Sequence, residues 1–289
     1  MEESRLESVR RLPDHRLFGL VGWYSGYAQA GIPPARHRGL PSPWLTFILT
    51  LDDPLEIAVH PDRRQPAGSY ETLVGGLHTR PALIVHHGRQ SGVQVALHPL
   101  GTRVLLGCPA GALGGGDFSA DEVLGRAARE LRERLGEAAT WEGRLAALDE
   151  GLLDLVRRRS ATTRVVEPPD PVAGAWQAIV AKGGRITVEK VASEVGWSDR
   201  QLRKRFKAET GLTPKEACRV VRFDRARRTL AGRLMSGGSF GLASVAAECG
   251  YADQGHLSRE FAALAGCPPG RWAVEEFRNI QAGAHLPLE

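Results

Sequence analysis

Arg200, Arg203, Lys204 and Lys207 stand at i, i+3, i+4 and i+7 in the stretch SDRQLRKRFK. On a helix, residues at this spacing share one face. Four like charges on one face repel each other and weaken an isolated helix, so stability is a poor reason for the stripe. Guanidinium and ammonium groups supply hydrogen-bond donors that suit guanine O6 and N7 in the major groove, and also phosphate oxygens. The chemistry on offer is therefore recognition of a polyanion, not bond-making. A merely solvated basic face is the competing reading, and the surrounding elements decide between the two.

Those elements are written twice. VASEVGWSDRQLRKRF (191–206) returns, 54 residues later, as VAAECGYADQGHLSREF (245–261). In the first copy Val191, Ala192 and Val195 make an apolar face, and Gly196 supplies a sharp exit from the helix. Ser198 then starts the next helix, with Gln201 as its capping partner and Leu202 and Phe206 pointing to the core. Helix, tight turn, helix is the helix-turn-helix plan. The second copy offers the same parts in Val245, Ala246, Cys249, Gly250, Leu257 and Phe261. Its one extra residue falls in the turn or the first helical turn. Between the copies, TPKE (213–216) predicts a capped helix start, and KEACRVVRFDRARRTLAG predicts a rigid spacer.

The second unit is more sparsely equipped. Its outward stripe is Gly255, Ser258, Arg259 and Ala262, with Gln254 and His256 nearby as hydrogen-bonding groups. The expectation is an unequal pair: the first helix reads bases, and the second anchors backbone or tunes specificity. Two units on one chain also suit two major-groove contacts roughly 34 Å apart, without the palindromic symmetry that a dimer imposes.

The charge distribution agrees. The whole chain of 289 residues carries a net charge of only +5. From Val172 onward there are 18 Lys+Arg against 12 Asp+Glu, while the first 171 residues hold 20 against 21. Arg200 to Arg233 holds 12 against 3. A regional basic excess is a prior for nucleic acid.

Upstream, the short runs WLTFILTL, LEIAV, ALIVHH, VQVAL and RVLLG between residues 44 and 107 predict a β-rich sandwich or barrel. GALGGGD (111–117) predicts a flexible connection. Ser119 and Glu122 then open an amphipathic helix through Leu124, Ala128, Leu131 and Leu135, and a second runs from Trp141 to Arg157-Arg158-Arg159. These two helices either cover the β-rich part or form the seam of a homodimer. The proline-rich stretch 160–171 predicts a linker. The fold class expected is α+β: a β-rich regulatory part with two helices over 1–159, then an all-α part over 172–277 with two helix-turn-helix units, and a tail over 278–289.

Residues of about 172–277 resemble the DNA-binding domain of the AraC/XylS family of bacterial transcription regulators. The resemblance covers both units, the spacer and the closing stretch VAAECGYADQGHLSREFAALAGCPPGRW (245–272). It implies a seven-helix bipartite domain that inserts two recognition helices into successive major grooves of double-stranded DNA. The family's base-reading positions fall on Arg200, Arg203 and Lys204, and on Gly255 and Arg259. Gly255 departs from the side chain usual there, and His256 replaces a common aromatic. The resemblance further implies RNA polymerase as a partner if the protein activates, and a regulatory N-terminal domain that can take a small-molecule effector. That N-terminal stretch resembles an uncharacterised β-rich domain of an actinobacterial-type subgroup, which carries no known ligand.

Other function classes find less support. His60, His78, His86, His87 and His98 invite a metal site, but the adjacent His86 and His87 point to opposite faces of a strand. No metal or other cofactor is expected. Cys108, beside Gly107 and Pro109, reads as a buried inert thiol. There is no HExxH or P-loop, so no enzyme is expected. The alternative is a small-molecule-binding or enzymatic β-domain for which DNA binding is secondary. Four scattered cysteines, no long apolar run and a charged start point to a cytoplasmic protein without membrane contact.

Overall fold

A computed structural model of the chain describes residues 5–162, 169–236 and 241–281. Its first half pairs antiparallel strands into two sheets. One runs in the order β1 (Arg5–Arg11), β2 (Val21–Ala30), β9 (Gln90–Leu97), β4 (Leu45–Thr50), β7 (Thr72–Gly75), β10 (Asp117–Ser119). The other runs β3 (Ala35–Gly39), β8 (Ala82–His86), β5 (Leu55–Val59), β6 (Gly68–Tyr70). Strand β4 is buried at every position except Thr46. Leu45, Phe47 and Leu49 turn to the helical side, whereas Ile48 meets Leu55, Ile57 and Ile84 between the sheets. Burial on both faces explains why LTFIL is an unbroken apolar run rather than an alternating one.

Two expectations from the sequence are corrected here. RVLLG (103–107) is not a strand: its first residues belong to the short helix α1 (Thr102–Leu105). Pro99 has no N–H for the ladder, and the Thr102 hydroxyl donates to the Pro99 carbonyl at 3.0 Å, curling the chain out of the sheet. The glycine-rich 111–117 is not a loose connection either. It holds most of α2 (Ala110–Leu113) and the first residue of β10.

Ser119 caps the next helix as expected, with Glu122 returning a bond to the Ser119 N–H. The single helix expected from there is two, α3 (Ala120–Leu124) and α4 (Arg126–Glu137), because Gly125 takes φ +59 between them. Helix α5 (Trp141–Thr162) then lies antiparallel to α4. Ala128, Leu131, Leu135, Leu145, Leu148 and Leu152 are buried within the chain itself. The outer side of the pair is laced with ion pairs, Arg134–Asp154 at 3.1 Å and Arg158–Glu130 at 3.2 Å among them. The apolar stripe thus covers the β-rich part and is not left over for a dimer seam. Asp149 of α5 ties it down by accepting from the Tyr24 hydroxyl, the Asp14 N–H and Arg11.

Of the linker expected over 160–171, residues 163–168 lie outside the described residues. Residues 160–162 complete the last turn of α5. Residues 170 and 171 open α6 (Asp170–Ala181), where proline is tolerated in the first turn. The helical half continues with α7 (Val188–Glu194), α8 (Asp199–Thr210), α9 (Pro214–Met235), α10 (Leu242–Cys249), α11 (Gln254–Ala265) and α12 (Pro269–Gln281). The expected tail therefore begins inside α12, and residues 282–289 lie outside the described residues.

One apolar core runs through both halves. It joins Phe47, Val74 and Leu97 of the sheet to Leu131 and Leu152, and onward to Trp176, Phe206, Phe223 and Phe261. At the junction, the His98 ring sits edge-on to Trp44 (5.6 Å) and Trp176 (6.2 Å), and Trp176 stacks on Phe206 of α8 (5.9 Å). Burial pulls the His98 pKa down to about 4, which keeps the ring neutral there. No helix among the described residues is long and apolar enough to cross a membrane.

Candidate nucleic-acid interface

Helix α8 begins where the Ser198 side chain accepts from the Gln201 N–H, and it ends on Gly211 in the left-handed region at φ +87. Helix α11 begins where Asp253 accepts from the His256 N–H at 2.6 Å, and ends on Gly266 at φ +71. Both helices have 12 residues. Leu202 and Phe206 of one and Leu257 and Phe261 of the other are fully buried at matching positions. Each leucine is the fourth helical residue, so the extra residue of the second copy lies in the turn, between Gly250 and Asp253. The spacer α9 has a complete capping box at Thr213 and Glu216, with Pro214 in its first turn. Its 22 residues extend about 33 Å at ~1.5 Å per residue.

Arg200, Arg203, Lys204 and Lys207 are all exposed. Together with Asp199 and Thr213 they line an open concavity. Arg203 reaches Asp199 at 3.7 Å in an exposed pair that contributes little. Arg200, Lys204 and Lys207 have no ion-pair partner among the described residues. Arg205, which the stripe rule passes over, is also exposed and flanks the same helix. It becomes visible only when the two copies are aligned from their caps, which sets it opposite Glu260.

That alignment exposes a second asymmetry. Glu260 takes Arg219 at 2.6 Å and Arg222 at 3.2 Å, fastening α11 to the spacer. Asp224, 3% exposed, holds Arg227 and Arg228, and Arg233 holds Glu248. Much of the basic excess between Arg200 and Arg233 is therefore structural. The cations left for a partner are concentrated on α8.

On α11, Gln254, Gly255 and Arg259 are exposed, and His256 and Ser258 are half-buried. The His256 ring packs edge-on against Tyr251 at 5.3 Å, and its Nδ1 accepts from the Ala252 N–H at 3.3 Å. It braces the turn more than it reaches outward. A methyl group on Gly255 would stand 3.2 Å from the Arg259 Nη1, so the missing side chain leaves room for that guanidinium beside the helix start.

Both helices rest their C-terminal ends on the β-rich half. Arg103 of α1 makes a two-pronged pair with Glu209 of α8, at 2.6 and 2.8 Å, and Glu209 is 5% exposed. Beside it, a Cβ on Gly111 would lie 2.2 Å from the Ala208 carbonyl oxygen, so only glycine allows α2 to approach the α8 backbone this closely. Arg38 of β3 similarly pairs with Glu275 of α12 at 2.8 Å and donates to the Ala265 carbonyl at 3.3 Å. No sequence pattern signals these contacts.

The histidines do not converge. His60 is buried against Asp117 (2.7 Å), and His87 is exposed against Glu56 (3.0 Å). Among the described residues no group of three or more His, Cys, Asp or Glu could hold a metal ion. Burial raises the Cys108 thiol above its ordinary range despite nearby Arg159 and Arg103, which favours the unreactive protonated form.

Two matched helix-turn-helix units, joined by one long helix and carrying cations on the outer face of the first, define a bipartite helix-turn-helix module. Residues 191–274 match the family model described as a helix-turn-helix domain. The chain is similar in structure to ToxT from Vibrio cholerae O395, at 11% identity over 95% of this chain and 98% of that one, with a TM-score of 0.48. It is also similar to the AraC-like transcriptional activator CuxR (15% identity, 81% and 89% covered, TM-score 0.30). The xylose-binding transcription activator XylR is a third (20% identity, 46% and 39% covered, TM-score 0.32). No curated protein matches the chain.

Proposed function

We propose that this protein is a sequence-specific DNA-binding transcription regulator in which α8 reads bases and α11 anchors the duplex. Residues 172–277 form the DNA-binding part, and residues 1–159 regulate it. The observation that carries this reading is the unequal pair: two helices alike in length, cap and buried leucine and phenylalanine, of which only α8 bears an uncommitted cationic face. A stripe that served folding would be paired with carboxylates, as Arg219 and Arg228 of α9 are.

Arg200, Arg203, Lys204 and Lys207 face the major groove at one end of the site. Arg259, with Gln254, Gly255, His256 and Ser258 around it, meets the next groove. The spacer's length of about 33 Å is close to the ~34 Å between successive grooves on one side of B-DNA. One chain therefore spans a non-palindromic site. A regulator of this kind that activates transcription has RNA polymerase as its further partner.

Arg203→Ala should weaken binding to a selected site by roughly 1–3 kcal/mol if the guanidinium makes a bidentate base contact. Gel-shift titration on the selected site and on random DNA separates the roles. An equal loss on both would reduce Arg203 to phosphate binding.

A further inference from the structure

The two sheets part where the β4–β5 and β8–β9 turns meet, leaving a cavity of about 320 Å³. Tyr27, His86 and Ser91 line it. His86 and Ser91 are 8% and 6% exposed. The Tyr27 hydroxyl, the Ser91 hydroxyl and the His86 Nε2 have no hydrogen-bond partner among the described residues. His86 and Ser91 are more than nine-tenths buried and Tyr27 is half-buried, and the three residues line this space with hydrogen-bonding capacity free for a ligand.

The protonation states say what kind. The Gly88 N–H donates to His86 Nδ1 at 3.3 Å, which leaves the proton of a neutral ring on Nε2. Burial, and then the His87 charge, lower the His86 pKa and keep the ring neutral. Burial likewise raises the Tyr27 phenol, which stays protonated as a donor. Two donors thus ask for an acceptor oxygen.

The rim disfavours an anion. Glu56 and Asp53 both line the cavity; His87 holds the first, and the second has no ion-pair partner among the described residues. Arg89 is already bound to Asp52 at 2.9 Å. Leu55, Val85 and Pro54 make the remaining wall apolar.

We propose that this cavity binds a small uncharged molecule with an apolar body and a carbonyl oxygen, which accepts from the Tyr27 hydroxyl and His86 Nε2. The site deepens the regulatory reading of residues 1–159 and rests on it only for the consequence at DNA. A route to that consequence exists. His86 lies on β8, whose Leu83 is the register partner of Arg38, and Arg38 holds the end of α11 and Glu275 of α12.

The test is isothermal titration of the full chain with benzamide, benzoate and benzylamine, which share a ring and differ in charge. Benzamide should bind with one site per chain and more tightly than the other two. Tyr27→Phe, which keeps the ring, and Ser91→Ala with it should each leave the fold intact, and loss of the Tyr27 hydroxyl should weaken benzamide roughly 3–10-fold. No heat with benzamide, tightest binding by benzylamine or benzoate, or an unchanged affinity in Tyr27→Phe would overturn the proposal. DNA binding by the same sample separates the two readings. Benzamide binding without DNA binding defeats the regulator reading alone, and DNA binding without benzamide binding defeats the site alone.

Discussion

Helices α8 and α11 are two printings of one design that differ in what they do with charge. Counted from their caps, Arg200, Arg203, Lys204 and Lys207 of the first correspond to Gly255, Ser258, Arg259 and Ala262 of the second. Arg205 corresponds to Glu260, which faces inward to the spacer's arginines instead of outward. The core positions are unchanged, so the frame tolerates either surface. The difference teaches that helix placement and helix chemistry are separable in this module: buried leucine and phenylalanine set the first, and the outer stripe sets the second.

The largest effect should come from making the first helix resemble the second. Arg200→Gly, Arg203→Ser and Lys207→Ala together should lower affinity for a selected site by about 100-fold or more, since each good base contact is worth roughly 1–3 kcal/mol. Circular dichroism should show the fold retained. Tight binding by this triple variant would end the asymmetry.

Next comes the support under α8. Arg103→Ala leaves Glu209 buried without its partner and should cost about 2–3 kcal/mol in urea denaturation, less than a fully buried pair because Arg103 is partly in water. Glu260→Ala should cost about 1–2 kcal/mol by freeing Arg219 and Arg222, whereas Arg205→Ala at the equivalent position should stay within about 0.5 kcal/mol. Equal costs at these two positions would contradict the alignment drawn from the caps.

A smaller effect follows from pH. His98 titrates near 6.5 when unfolded and near 4 when folded, so below 6.5 the unfolded chain binds the proton first. Stability should therefore fall as pH drops from about 6.5 to 4, and the loss should be complete below that. His98→Gln should flatten this part of the pH profile, measured by thermal melting. The smallest change is expected from Arg259→Ala, which should reduce the salt dependence of DNA binding by about one phosphate contact and leave base preference alone.

Much of the two helix-turn-helix units and of the exposed cationic stripe was legible because their signals are local. Caps at Ser198 and Thr213, turn glycines and the i, i+3, i+4, i+7 stripe all act within a few residues. The basic run from Arg200 to Arg233 misled by number: composition cannot show that Asp224 and Glu260 consume four of its arginines. Strand β1 escaped notice because RLESVRR, at a sheet edge, carries charge where a central strand would be apolar. RVLLG misled in the opposite sense, as an apolar run that Pro99 and Gly101 turn into a helix. The Arg103–Glu209 and Arg38–Glu275 contacts join residues more than 100 positions apart, and nothing short-range announces them. For the same reason the separable linker expected at 160–171 gave no hint that one core spans both halves.

What everything hangs on is a division of labour between two look-alike rods, one interpreting the letters and its twin merely gripping. Selection from random DNA with the unaltered chain, Arg203→Ala and Arg259→Ala should give a preferred sequence whose letters blur at one end in the first variant and persist in the second. Identical motifs from all three proteins, or letters lost only with Arg259→Ala, would contradict it.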